Sequence, residues 1–427
     1  MKTSLKIKIS ILLAAIAIIS ACSSSEKAAT NKNVAGIYLP GLNLIDPDFI
    51  IFHKNDTLTQ LHFRLNSENI LYTKKREDTT FSANLLINYE LINTADEALV
   101  DSASIYFTDY GGNQQKKFLN GLINLPTKQN KTYDLIVTVN DINRDHYIRK
   151  RLVINRADNY NAQNYLLLDS NNNVVFNNHF RNNEKVVIEK NSNNATKNIL
   201  LKFYGNEFPI AKPPFSIEGE EETEPLVFKP KLSKEIEFDT LNRILYSVED
   251  KGLYHFQASE NGNSGTTIFN FQEHFPKVKS PENMIDPMRY ISTKKEFDAL
   301  SNAENKKAAV DKFWLEIAGS TDRARTLISE YYNRVESANN YFTSYLEGWK
   351  TDRGLIYIIY GSPNVVYKNK NYENWIYGEE NNMMSISFVF QKITNPVSDN
   401  DYTLSRSPIF KNSWFRAVDS WRSGRIY

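Results

Sequence analysis

From about residue 36 to 275, apolar and polar side chains alternate with a period of two, the mark of strands with one buried face. Phe81, Ala83, Leu85, Ile87, Tyr89 and Leu91 share one side, with Ser82, Asn84, Asn88 and Glu90 opposed. Tyr133, Leu135, Val137 and Val139 repeat the pattern, and Gly111-Gly112-Asn113 and Lys128 to Lys131 supply turns. Further strands are predicted at 165–168, 185–188, 198–204, 252–257 and 266–271. Short strands without long helices predict two antiparallel, Ig-like β-sandwich domains over 36–157 and 158–280. Pro209, Pro213, Pro214, Pro225 and Pro230, with the acidic run Glu218 to Glu224, predict a long exposed loop in the second.

Beyond residue 285 the period changes to 3.6. Ala309, Val310, Phe313, Trp314 and Ile317 form one stripe, ended by Gly319. After a cap at Thr321 or Asp322, Ala324, Leu327, Ile328, Tyr331, Val335, Ala338, Phe342 and Tyr345 recur at three- and four-residue steps, up to Gly348. Leu355 to Tyr360 is apolar throughout and is predicted to be a central strand. Strands at 365–367, 372–377 and 385–390 complete an α+β domain over 285–405, two helices packed on an antiparallel sheet. Residues 406–427 form an amphipathic tail, with Trp414, Phe415, Val418 and Trp421 on one side and Arg416, Arg422 and Arg425 around them.

Gly348-Trp349-Lys350-Thr351-Asp352 resembles the GWxTD domain, found in bacterial envelope proteins whose function is not established. Asn333-Arg334-Val335-Glu336, Ala338-Asn339, Phe342, Arg353-Gly354, Tyr360-Gly361-Ser362-Pro363 and Trp375-Ile376-Tyr377 extend the likeness over roughly 295–405. Asn364 stands where the family often has Asp. The resemblance implies an exported lipoprotein with a β-rich N-terminal part. Each signature residue has a structural role open to it: Gly348 as a left-handed helix stop, Trp349 as a cover, Thr351 and Asp352 as backbone partners, Arg353 as a carboxylate partner. Trp349, Thr351, Asp352, Arg353, Trp414, Trp421 and Arg422 are the candidate partner or ligand site, because tryptophan with arginine is also the composition of interface hot spots. A looser likeness, helices followed by a strand, a Gly-x-Pro turn and a Trp-x-Tyr strand, links this region to the small lipoproteins of the outer-membrane β-barrel assembly machinery.

Cys22 is the only cysteine, and it follows the apolar stretch Ile11 to Ile19, with Lys2, Lys6 and Lys8 ahead and Ser20-Ala21 before it. This looks like a lipoprotein signal over 1–21, with acylation of Cys22 and a polar tether over 22–35. The expected address is the outer membrane, facing the periplasm, with the cell surface as the alternative. Without Lys2, Lys6 and Lys8 the formal charge falls from +1 to −2, which gives no basic face for nucleic acid. No later segment approaches the ~20 apolar residues of a membrane span. Asp56-Thr57-Leu58, Asp78-Thr79-Thr80, Asp101-Ser102-Ala103 and Asp239-Thr240-Leu241 resemble the O-glycosylation pattern of the Bacteroidetes.

No reaction is legible. His53, His62, His146, His179, His255 and His274 lack the spacing of a zinc helix. Ser292-Thr293-Lys294-Lys295 with Ser398-Asp399-Asn400 mimics the order of penicillin-binding enzymes, but no Lys-Thr-Gly follows. The expectation is a non-enzymatic, lipid-anchored scaffold or accessory subunit of an envelope complex, without cofactor or metal. Alternatives are a glycan- or peptidoglycan-binding module stacking sugars on Tyr372 and Trp375, and, behind it, an unfamiliar hydrolase using Asp352.

Overall fold

The computed structural model describes residues 33–39, 45–77, 79–111, 116–194, 196–216, 228–258, 264–395 and 397–426. The signal segment, Cys22, the first part of the tether, Gly112-Asn113 and Glu218 to Glu224 lie outside the described residues. The fold is mainly β, with antiparallel sheets followed by helices packed on a last sheet.

The first unit contains β1 (Asp48–His53), β2 (Leu58–Asn66), β3 (Phe81–Asn93), β4 (Leu99–Gly111), β5 (Phe118–Pro126), β6 (Thr132–Asp141) and β7 (His146–Asn155). Sheets β1-β2-β5 and β4-β3-β6-β7 face each other across Leu61, Leu65, Leu85, Ile87, Leu135 and Val137. The alternation in β3 sets this packing: Ile87 pairs with Val139 and Tyr89 with Val137, all inward. Phe81, expected on the buried face, is exposed at the strand's outer end. The long edge strand β4 has two inward carboxylates, Asp101 and Asp109, which accept the hydroxyls of Tyr89 (2.8 Å) and Tyr72 (2.6 Å). Inward charge on an open edge discourages sheet-to-sheet association.

The second unit contains β8 (Tyr165–Leu168), β9 (Lys185–Lys190), β10 (Asn198–Tyr204), β11 (Leu232–Glu237), β12 (Arg243–Ser247), β13 (Gly252–Gln257) and β14 (Gly265–Asn270), in sheets β11-β10-β13-β14 and β12-β9-β8. Phe52 packs on Leu166 and Leu168 across the junction, and buried Glu189 pairs with Lys54 at 2.7 Å and Arg243 at 2.6 Å. The proline-rich loop is not simply solvated. Its N-terminal half straps the second sandwich to the last unit: Ala211 N–H donates to Lys350 O (2.9 Å), Ser407 N–H to Pro214 O (3.1 Å), and Phe215 meets Phe415.

Among the described residues the third unit has six helices, where the periodicity predicts two and a short one in the tail: α1 (Pro281–Met288), α2 (Lys294–Asn302), α3 (Lys306–Ala318), α4 (Thr321–Phe342), α5 (Asp352–Tyr360) and the tail helix α6 (Lys411–Arg422). Gly319, at φ 72, ends α3 as expected, and Ser320, not Thr321 or Asp322, caps α4. The stripe on α4 is buried as its spacing requires, but the helix stops at Phe342, before Gly348. The sheet is β15 (Val365–Lys368), β16 (Tyr372–Tyr377), β17 (Ile386–Lys392) and β18 (Tyr402–Leu404), in chain order.

Two expectations are overturned here. Leu355 to Tyr360 is helix α5, not a strand. It is enclosed on every side, so its apolar run carries no period to separate helix from strand. Residues 33–38, assigned to tether and first sandwich, belong to this last unit. Ala35 and Tyr38 join its core, and Val34 N–H donates to Val366 O at 2.9 Å.

Candidate functional site

The signature forms the connection between α4 and α5. A short 3-10 turn, Gly348–Lys350, presses on α4 so closely that a Cβ on Gly348 would sit 1.9 Å from Ala338 O. A Cβ on Gly354 would sit 1.9 Å from Gly348 O. Gly348 therefore serves close approach and not a left-handed stop, because its φ is not positive. Trp349 is buried; its N–H donates to Asn339 Oδ1 (3.1 Å) and its carbonyl accepts the Tyr290 hydroxyl (2.9 Å). Thr351 is the N-cap of α5, accepting from Gly354 N–H at 3.1 Å and donating to Gly348 O at 2.8 Å.

Asp352 and Arg353 fasten α5 to the sheet. Asp352 Oδ2 accepts from Leu404 N–H (2.7 Å) and its carboxylate pairs with Arg406, all at a helix N-terminus that favours negative charge. Arg353 is 2% exposed. Its guanidinium donates to Glu373 Oε1 (3.1 Å) and to Asn400 O (3.0 Å), and lies 3.9 Å from the centroid of the Tyr402 ring.

Glu373 is fully buried and takes donors on both oxygens: Tyr38 O–H (2.8 Å) and Trp375 Nε1 (3.0 Å) on Oε2, Arg353 and Lys368 Nζ (2.7 Å) on Oε1. Burial pushes its carboxyl up, but Arg353, Lys368 and these hydrogen bonds outweigh it and hold the acid below its usual range. Burial and the Glu373 charge push the Tyr38 phenol well up. Glu373 and Tyr38 are not among the candidates drawn from the sequence, and Asn400 enters there only within the Ser398-Asp399-Asn400 run. The signal for Glu373 was its parity, since it shares the inward face of β16 with Trp375 and Tyr377.

The tail residues lie elsewhere. Trp421 is fully buried, donates to Ile359 O (3.1 Å) and meets Tyr331 edge-on. Trp414 is buried near Tyr360. Arg422 pairs with both oxygens of Glu296 (2.9 and 2.8 Å), which holds that carboxyl down at about 2. The seven candidate residues thus form no single surface. Thr351, Asp352 and Arg353 brace the start of α5, Trp349 covers the turn before it, and Trp414 and Trp421 pack at its far end. Trp349, Trp414 and Trp421 present no indole face to a partner, and Trp375, expected as a sugar platform, is core while Tyr372 is part-exposed.

A cleft of about 1410 Å³ lies where the three units meet and includes Arg64, Phe176, His179, Phe271, Ser344 and Asp399. Ser344 Oγ and His179 Nδ1 are buried there without a hydrogen-bond partner among the described residues. Burial lowers the His179 imidazole to about 4. No group of three or more metal-ligating side chains occurs among the described residues.

No curated protein matches the chain. Among solved structures it is similar to a glycosyl hydrolase family 2 member from Bacteroides cellulosilyticus (10% identity, TM-score 0.18, 26% of this chain and 14% of that one). It is also similar to a Bacteroides uniformis beta-glucuronidase (8%, 0.18, 29% and 14%) and to the major pilin subunit of Bacillus cereus (14%, 0.15, 56% and 67%). The chain thus spans 14% of the length of these two hydrolases, and likeness at this level says nothing of catalysis. The GWxTD domain profile matches residues 252–423, wider than 285–405 on both sides and taking in β13, β14 and α6. With the signature at its centre, the chain is a GWxTD domain-containing protein.

Proposed function

We propose that the protein is a non-enzymatic lipoprotein, anchored at the outer membrane through Cys22 and facing the periplasm, that scaffolds an envelope complex such as one for outer-membrane protein assembly or secretion. The observation that carries this reading is that the charges in and against the signature are partnered internally. Asp352, Arg353 and Glu373 are satisfied by internal partners and enclosed, so none is poised toward a substrate. A scaffold also needs open surface, and the outer face of the β4-β3-β6-β7 sheet offers it. Tyr106, Leu86, Asn140 and Tyr147 line up across its strands, with both tyrosines about two-thirds exposed. Exposed tyrosines on a stiff sheet suit a protein partner. Purification in mild detergent should yield a complex of fixed stoichiometry that Tyr106→Asp with Tyr147→Asp disperses. A monomer in both cases contradicts the reading.

A second reading, a glycan- or peptidoglycan-binding module, is favoured by the cleft with its unpartnered Ser344 and His179. Reproducible glycan-array hits lost in Ser344→Ala would support it, and an array without hits would remove it.

A further inference from the structure

The hairpin between β16 and β17 exposes two adjacent methionines, Met383 at 100% and Met384 at 83%. They do not hang on a slack loop. Ser385 Oγ donates to Glu379 O (2.7 Å), Ser385 N–H to Asn382 O (3.0 Å), and Met384 N–H to Asn382 Oδ1 (2.9 Å). The Tyr367 hydroxyl holds Glu380. A built turn that holds two apolar side chains in water needs a covering surface.

The position of the tip says which one. Asn33 donates to Asn364 O (3.1 Å), and Asn364 Oδ1 accepts from Gly378 N–H (2.8 Å), where the hairpin begins. The described fold therefore begins, at Asn33, near the base of the hairpin that carries the methionines. Ten residues separate Asn33 from Cys22, a reach of at most about 40 Å. Strand β17 runs from this tip at Ile386 to Lys392, close before Thr394, Asn395 and Val397 to Asn400, which line the cleft facing the sandwiches. The tip and the sandwiches are at opposite ends of the GWxTD sheet.

The geometry points to Met383 and Met384 as a membrane-contacting tip that seats the GWxTD unit on the lipid surface and holds the sandwiches away from it. This rests on the proposed anchor at Cys22. Glu379 and Glu380 beside the methionines suit a zwitterionic headgroup layer and oppose an anionic one. The unbranched thioether side chains can enter the boundary between headgroups and acyl chains.

The chain's single cysteine makes the test clean, because acylation leaves no other thiol. Full-length Met384→Cys, labelled with a fluorophore, is reconstituted by its own anchor into phosphatidylcholine–phosphatidylethanolamine vesicles with brominated acyl chains. Tyr106→Cys on the first sandwich is the control. Loss of most emission at position 384, with emission at 106 retained, is the expected result. Equal emission at both positions, with acyl groups on Cys22 confirmed by mass spectrometry, overturns the seating and leaves the anchor standing. A mature chain without acyl groups removes the anchor, and the proposal with it.

Discussion

Arg353 and Glu373 meet at 3.1 Å inside the GWxTD core, one on the first turn of α5 and the other near the start of β16. Lys368 lies 2.7 Å from the same carboxylate oxygen, so one acid serves two cations. Removing an enclosed partner strands the charges left behind, which costs more than the pair itself contributes. Glu373→Gln is expected to lower stability by about 3–5 kcal/mol in urea unfolding. A change below about 1 kcal/mol would show that the pair is replaceable.

Gly348 and Gly319 are both near helix ends but serve different needs. Gly348→Ala forces a methyl into the Ala338 carbonyl and is expected to cost about 3 kcal/mol or more. Gly319→Ala meets open space and bears only the left-handed backbone, about 1–2 kcal/mol. Equal costs in paired melting curves would contradict this division.

Tyr38 ties the start of the chain to its last domain, through its hydroxyl on Glu373 and its carbonyl, which accepts from Tyr357 O–H at 3.0 Å. Tyr38→Phe should destabilise the GWxTD unit by about 1.5–3 kcal/mol, the range for a hydrogen bond to a charged group. Hydrogen exchange should then quicken in β16 while β3 and β6 keep their protection. Faster exchange in the sandwich alone would place Tyr38 elsewhere.

His53 is enclosed between Thr59 Oγ1 (3.0 Å) and Asn155 O (3.1 Å), and burial, with Arg156 nearby, pushes its imidazole down to about 4. The folded state resists protonation that the unfolded chain accepts from about pH 6.5. The contribution is therefore present above pH 6.5 and is lost as pH falls toward 4, up to about 3 kcal/mol. An NMR titration of His53 with a midpoint near 6.5 would remove it.

Period-two runs such as Leu85-Ile87-Tyr89 and the stripe on α4 are written in spacing, and both lie where spacing puts them. Leu355 to Tyr360 misled because a fully enclosed helix shows no polar face. Gly348 was recognised as special for a different reason from the true one, since close approach to Ala338 is a relation between distant atoms. Tyr38 with Glu373 was illegible for the same cause, since they stand 335 positions apart. Trp414 and Trp421 showed the right amphipathic face, but composition alone did not say that the core of their own domain covers it.

Whether the signature braces the fold or serves a ligand is decided most directly by equilibrium unfolding of Asp352→Asn. That exchange keeps the size of the side chain, removes its charge and leaves Arg406 without its anion. A brace requires a stability loss of about 3 kcal/mol, with any partner complex declining only as the folded fraction declines. An unchanged unfolding curve together with a lost partner or activity would make Asp352 a working group and contradict the internal role assigned to it.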